Sequence, residues 1–307
     1  MLHSDIRETS FCSEIILKIC INGGFRLRML LISCMCISIV TSICALRTSP
    51  AQSQSDDAQT AELQRKTQNP VSDLISLPFQ NTTNFDFGPD NKEQNILNIQ
   101  PVIPFKLNQE WNLISRTILP LIHMPELIPD AGETFGLGDT FQSMFFSPAK
   151  SGKLIWGIGP AFQLPTATNN ILGQDKWCAG PTGVLLAMRG PMVFGALANN
   201  VWSFASAGNI DKPQVNQMLL QPFFNYNLRK GWYLTTAPII TANWEAEHTE
   251  QWVVPVGGGG GKIFKIGKQA MNAQVQVFHY LESPSIGPDD WALRVQFQLL
   301  FPKKRQK

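Results

Sequence analysis

WALRVQFQLLF, residues 291–301, puts a large apolar side chain at every second position: Trp291, Leu293, Val295, Phe297, Leu299 and Phe301. Arg294, Gln296 and Gln298 fill sites between them. Strand side chains alternate between two faces, so this segment is a strand with one face in an apolar medium and the other in a polar space. The same alternation recurs upstream. Met218, Leu220, Phe224, Tyr226 and Leu228 stand against Gln217, Gln221, Asn225 and Asn227, and Leu97, Ile99, Ile103, Phe105 and Leu107 against Asn98, Gln100 and Lys106. Val275 and Val277 alternate with Gln274 and Gln276. From Leu74 onward about twelve such segments are divided by Gly, Pro, Asn and Asp clusters.

The connections carry as much information as the strands. Short turns at 108–110, 148–153, 189–191, 228–231 and 267–269 alternate with longer connections at 88–93, 125–138, 166–179, 207–214, 246–252 and 283–289. Outer-membrane barrels have short periplasmic turns and longer outer loops, and an even strand number leaves both termini in the periplasm. The expectation is an all-β chain forming a single transmembrane antiparallel up-and-down β-barrel of about 12 strands. Composition agrees. Hydrophobic residues make up 44% of the 307 residues and charged residues 16%, against roughly 25% charged in a soluble domain. The mean hydropathy of -0.05 is what alternating lipid-facing and lumen-facing residues average to. Trp111 and Trp232 follow short turns and Trp244, Trp252 and Trp291 flank long ones, as interface girdles require. A net charge of +2 supplies no basic stripe, so nucleic acid is not an expected partner.

The chain divides into an expected signal peptide at 1–45, a periplasmic linker at 46–72, the barrel at 73–302 and a basic tail at 303–307. Arg26 and Arg28 precede an apolar run at 29–40 and small residues around Ser42, Cys44 and Ala45, the three-part plan of a secretory leader. The stretch before Arg26 is long for a leader and suggests an internal start. An uncleaved anchor is the rival reading, but the apolar run falls short of the roughly 20 residues a spanning helix needs. Residues 31–34 resemble a lipid-attachment box whose preceding apolar stretch is too short. Five of the six cysteines lie within this leader, leaving only Cys178 and no disulfide framework. Residues 50–69 are rich in Gln, Ser, Asp, Ala and Thr and read as a mobile linker, with room for a short helix over 58–67. Pro101, Pro104, Pro120, Pro160, Pro222 and Pro238 cannot donate to a ladder, so each is expected at a bulge or strand end.

Several runs resemble a family of Gram-negative outer-membrane "transporter" barrels, often mislabelled neuromedin U and related to the meta-pathway phenol-degradation barrels. They are NPVSDLISLPFQN (69–81), LNIQPVIPF (97–105), FGLGDT (135–140), SPAKSGKLIWGIGPAFQLPTAT (147–168), GALANNVWSFA (195–205), QPFFNYNL (221–228), GWYLTTAPIITANWEA (231–246) and DWALRVQFQLLFP (290–302). The resemblance implies a cell outer-membrane barrel passing aromatic or other hydrophobic compounds, and supplies no catalytic residues. Two features depart from it: the five-glycine run at 257–261, and the basic tail after Phe301 where a terminal aromatic would serve the barrel-assembly machinery.

Candidate chemistry is sparse. VGGGGGK at 256–262 fails as a phosphate loop, because Val256 stands where the first glycine belongs and Ile263 where Ser or Thr should follow the lysine. Glycines in a strand instead leave interior room or bend the wall. Glu245, Glu247, His248 and Glu250 form an acidic patch that offers a divalent-cation or lipopolysaccharide contact, or simply a solvated loop. No nucleophile elbow or zinc-protease motif occurs, so the chain is not expected to be an enzyme. A triad assembled across strands, using His248 or His279, keeps a membrane hydrolase as an alternative. The residues opposite the apolar stripe are the lumen-lining candidates: Gln163, Gln217, Gln221, Asn225, Asn243, Gln274, Gln276, Arg294, Gln296 and Gln298. Phe223 and Phe278 share that face. Neutral amides dominate it, which predicts weak ion selectivity, and about twelve strands predict a narrow or partly plugged path. The expected function is a monomeric passive channel for a small-molecule solute, with outer-membrane lipid around it and no cofactor or bound metal. A structural, lipopolysaccharide-contacting barrel with a blocked lumen is the alternative.

Overall fold

The computed structural model describes residues 53–301 apart from 89, 128–131, 151, 153, 209–211 and 268. The expected leader, the first part of the linker and the basic tail lie outside the described residues. A helix, α1 (Ser53–Thr67), precedes the strands β1 (Ile75–Phe87), β2 (Lys92–Ile99 and Val102–Lys106), β3 (Trp111–Met124), β4 (Thr134–Leu137 and Thr140–Pro148), β5 (Leu154–Leu164) and β6 (Lys176–Arg189). They continue as β7 (Met192–Ser206), β8 (Asn216–Asn227), β9 (Trp232–Thr236 and Ile240–Asn243), β10 (Trp252–Ile266), β11 (Gln269–Glu282) and β12 (Trp291–Phe301). Each strand pairs antiparallel with its chain neighbours, and β1 pairs with β12 from Ile75↔Phe301 to Asn84↔Ala292, which closes the sheet. Twelve strands in up-and-down order form the barrel.

Register partners across an antiparallel ladder share a face, so the pairings sort inside from outside. Leu293, Val295, Phe297 and Leu299 of β12 lie with Val277, Val275, Ala273 and Met271 of β11 on the outer wall, while Arg294, Gln296 and Gln298 lie with Gln276, Gln274 and Asn272 inside. Leu185, Phe194, Leu234 and Val275 are exposed on that wall, an arrangement that only an apolar solvent stabilises. The eight tryptophans all point outward and fall in two belts. Trp111, Trp156 and Trp232 lie toward the short-turn end, with Trp111 and Trp156 edge to face at 5.8 Å. Trp177, Trp202, Trp244, Trp252 and Trp291 lie toward the other end, with Trp244 and Trp252 at 5.4 Å. These are the paired girdles of a membrane-spanning barrel. Val295→Arg, at mid-height on this wall, should cost about 2–4 kcal/mol. Urea unfolding of the refolded protein in lipid vesicles measures it, and an unchanged midpoint would place Val295 out of the bilayer.

The alternation of connections holds with one exception. The turn between β1 and β2, expected to be long, spans only residues 88–91 because Asn91 and Gly88 adopt positive φ and fold it tightly.

The prolines correct the expected strand limits. Pro101 and Pro238 do occupy breaks, within β2 and β9, but Pro104, Pro120, Pro160 and Pro222 lie inside strands. For Pro120, Pro160 and Pro222 the missing donor falls opposite an interruption in a neighbouring ladder. Pro160 pairs with Pro181, and beyond them the β4–β5 register skips from Ser143↔Ala161 to Phe146↔Ile158 while the β6–β7 register skips from Ala179↔Trp202 to Thr182↔Asn199. Pro222 pairs with Ala196 of β7 and turns its other edge to the break at 237–239 of β9. Pro120 pairs with Asn98 and faces the break in β4. A proline can thus occupy a closed sheet when its neighbour supplies no acceptor there.

Candidate functional site

The inner face is divided lengthwise by chemistry. Ile114 of β3, Phe145 of β4, Ile155 of β5, Val184 and Leu186 of β6, and Val193 and Leu197 of β7 form a buried apolar cluster, joined by Leu219 and Phe223 of β8. The opposite wall, β10 to β12 with β1 and β2, presents amides: Gln274, Gln276, Gln296, Gln298, Gln80, Gln94 and Gln100. These amides bond to one another. Gln100 donates to Gln80 at 2.9 Å, Asn84 to Gln94 at 2.7 Å, Gln274 to Gln276 at 2.9 Å and Asn272 to Gln298 at 3.2 Å. Tyr280 donates to Asn84 at 2.8 Å.

All ten lumen candidates lie on the inner face by register. Gln217 and Asn243 are partners near the long-loop end, Gln221 faces Leu197, Asn225 faces Val193, and Gln163 faces Phe141. Gln274, Gln276, Arg294, Gln296 and Gln298 form two facing columns on β11 and β12. Arg116, Gln80, Gln100, Asn272 and Tyr280 also hydrogen-bond on the inner face, in separate groups, and were absent from the expected set. Arg116 sits on β3, where WNLISRTILPLIHM shows no clean alternation because β3 is apolar on its inner face too. The signal that could have found it is the arginine itself, a charged residue in the middle of an apolar strand.

The glycine run has a packing role. Gly257, Gly259 and Gly261 face inward as partners of Phe278, Gln276 and Gln274. A Cβ on Gly261 would fall on the Tyr233 ring, whose hydroxyl donates to Asn272 at 2.7 Å and lies 3.0 Å from the Gln274 side-chain oxygen.

The segment expected to be a mobile linker is instead docked from α1 onward. Leu63 is buried among Leu74, Tyr233, Ile263, Ala270 and Leu300. Gln64 donates to the Trp232 carbonyl at 3.1 Å and Arg65 to the Gly190 carbonyl at 3.2 Å. Gln68 and Asn227 exchange two amide hydrogen bonds at 2.8 and 2.9 Å. Farther along, Val71 packs into the apolar cluster of β3 to β7. Helix α1 and residues 68–74 after it therefore sit across the short-turn mouth. Among the described side chains, Leu63, Val71 and Leu74 anchor this segment in apolar clusters, too few and too irregular to read as an amphipathic pattern.

The acidic patch does not assemble. Residues 248–250 form a 3-10 turn, and Glu250 accepts from the backbone and hydroxyl of Ser285 at 2.7 and 3.0 Å. Among the described residues no three His, Cys, Asp or Glu converge on a metal position, and Glu245, Glu247 and His248 stay with the loop. His279 lies on the outer wall against Trp291 at 4.8 Å, with Asp290 at 3.2 Å from Nδ1. Leu281 follows two residues on, and no hydrogen bond joins a hydroxyl to the ring among the described residues. Cys178 is buried inside with Ala161, Val201 and Val215. A shallow apolar concavity of about 1260 Å³ lies on the outer wall of β3 to β8, between Trp156, Ile158, Leu185 and Met218, where lipid would cover it.

No family model and no curated protein matches the chain. Among solved structures, an outer membrane channel from Pseudomonas putida F1 superposes with a TM-score of 0.56 at 16% identity, covering 74% of this chain and 94% of that one. The fold is that of an outer-membrane β-barrel. Outer membrane phospholipase A from Escherichia coli matches with a TM-score of 0.39 at 12% identity, over 76% of this chain and 93% of that one. The CymD monoaromatic hydrocarbon channel gives 0.40 at 7%, over 78% and 90%. At such scores these two carry no argument about what this barrel does.

Proposed function

We propose that this protein is a channel of the cell outer membrane through which small amphipathic or hydrophobic solutes diffuse passively, without turnover and as a monomer. The observation that carries this reading is the divided lumen. A path with an apolar wall on one side and a hydrogen-bonding wall on the other suits a solute having both kinds of surface, because each wall replaces part of its hydration. The outward tryptophan belts support the membrane setting, and the sequence runs that resemble the aromatic-solute transporter barrels support the solute class.

A second reading, a structural barrel with a blocked lumen, draws on the docked α1 and on Val71 inside the wall. Planar-bilayer recordings of the refolded protein separate the two. Discrete conductance steps that small aromatic solutes reduce in a concentration-dependent way are expected of the channel. A barrel that shifts on an unboiled gel but gives no steps would favour the structural reading.

A further inference from the structure

The strand charges are one-sided. Asp86, Glu93 and Glu282 are the only acidic residues within the twelve strands, and each lies within two residues of a strand end on the long-loop side. At mid-height the inner face instead holds two arginines. Arg116 donates to Gln100 at 2.9 Å, which in turn donates to Gln80. Arg294 stands opposite Thr82, the next inward residue after Gln80 on β1, so the hydrogen-bond relay from Arg116 and the register of Arg294 reach neighbouring inward positions of one strand. Neither has an ion-pair partner among the described residues.

Arg294 is incompletely satisfied. One guanidinium nitrogen donates to the Ala237 carbonyl at 2.9 Å and the group lies 4.5 Å from the Phe278 ring centroid, but its buried Nε has no partner. Its register partner Gln276, 1% exposed, also has a buried Nε2 without a partner. Two unused N–H donors on adjacent strands, beside an uncompensated positive charge, are costly unless an acceptor visits them. A carboxylate offers two acceptor oxygens and the matching charge.

We infer that Arg294 and Gln276, with Arg116 relayed to the neighbouring inward position of β1, form an anion subsite in the lumen that takes the carboxylate of a small organic acid whose apolar body lies toward Leu219 and Phe223. This rests on the channel reading for its purpose but not for its chemistry. It replaces the weak ion selectivity expected from an amide-lined lumen with a preference for anions, since rings of one charge set that preference.

The probe is benzoate, compared with benzyl alcohol, which has the same ring and no carboxylate. Binding to the detergent-refolded full barrel is followed by calorimetry and ligand-observed NMR. Benzoate should bind more tightly than benzyl alcohol. Arg294→Gln should weaken benzoate at least about tenfold and leave benzyl alcohol unchanged, while Arg294→Lys should fall between. If Arg294→Gln does not give the folded gel band, Arg116→Gln is read in the same way. Equal binding of the two probes, or benzoate binding indifferent to both arginines, overturns the inference. Under a KCl gradient the reversal potential should favour chloride, and a cation preference overturns it as well. Benzoate binding in a barrel with no conductance would overturn the channel reading and leave the subsite standing.

Discussion

Gly261→Val should leave most of the protein outside the compact, heat-modifiable barrel state. Gly261 pairs with Tyr233 of β9 and with Gln274 of β11, and the Tyr233 ring lies over the position that a side chain would take. Valine must displace that ring, forfeiting the hydroxyl bond to Asn272 and the polar contact with Gln274 and opening the contact of Tyr233 with Leu63 and Ile263. Overpacking costs about 1–3 kcal/mol, and the lost hydrogen bond adds roughly 0.5–1.5 kcal/mol. Gly260 is the control. It faces the outer wall, where its nearest contact, the Tyr233 carbonyl, lies at 3.3 Å, so Gly260→Val should fold nearly as well as the parent. Folding yield on unboiled gels and urea midpoints in vesicles read both. Adding Tyr233→Ala to Gly261→Val should recover part of the loss, because the pair is coupled. Equal folding of the two glycine variants would refute the packing role.

Removing residues 53–72 should raise single-channel conductance several-fold. This segment lays Leu63 and Val71 into two separate parts of the inner wall and ties its polar side chains to turns around the short-turn mouth. Burying each of those side chains contributes about 1.5–3 kcal/mol, so thermal release of the intact segment is rare and the parent should conduct in small, steady steps. Leu63→Asp with Val71→Asp is the milder version, and should give frequent transitions between the small and the large conductance level. Identical conductance of parent and deletion would show that the solute path bypasses the helix.

The barrel was legible where one wall alone is apolar. β11 and β12 alternate most cleanly because polar side chains, mostly amides, hold their central inner positions, and eight of the ten inward candidates follow from the parity of β8, β11 and β12. β3 to β7 resisted reading because both faces are apolar: Ile114, Phe145 and Leu197 are as hydrophobic as the lipid side, and periodicity then carries no direction. The prolines misled for a different reason. A proline is tolerated when a neighbouring strand is interrupted beside it, and the relevant break, such as 237–239 beside Pro222, lies more than ten residues away. Arg116 and the docking of α1, whose helix was expected over 58–67, were missed because their meaning depends on what lies across the lumen. The acidic loop shows the opposite failure, in which no three of four residues close in sequence converge on one cation position among the described residues.

The seam between β1 and β12 joins the first strand to the last, Ile75 to Phe301, through ten register pairs. A folding barrel therefore carries an unsatisfied strand edge on β1 from the moment that hairpin forms until the final strand docks against it. Contacts at this sequence separation form late and slowly, and in the interval the edge is a template for pairing with other chains. Loss of even the last few residues would then act less as a local truncation than as failure to terminate a growing sheet, leaving a ribbon that seeks another copy of itself.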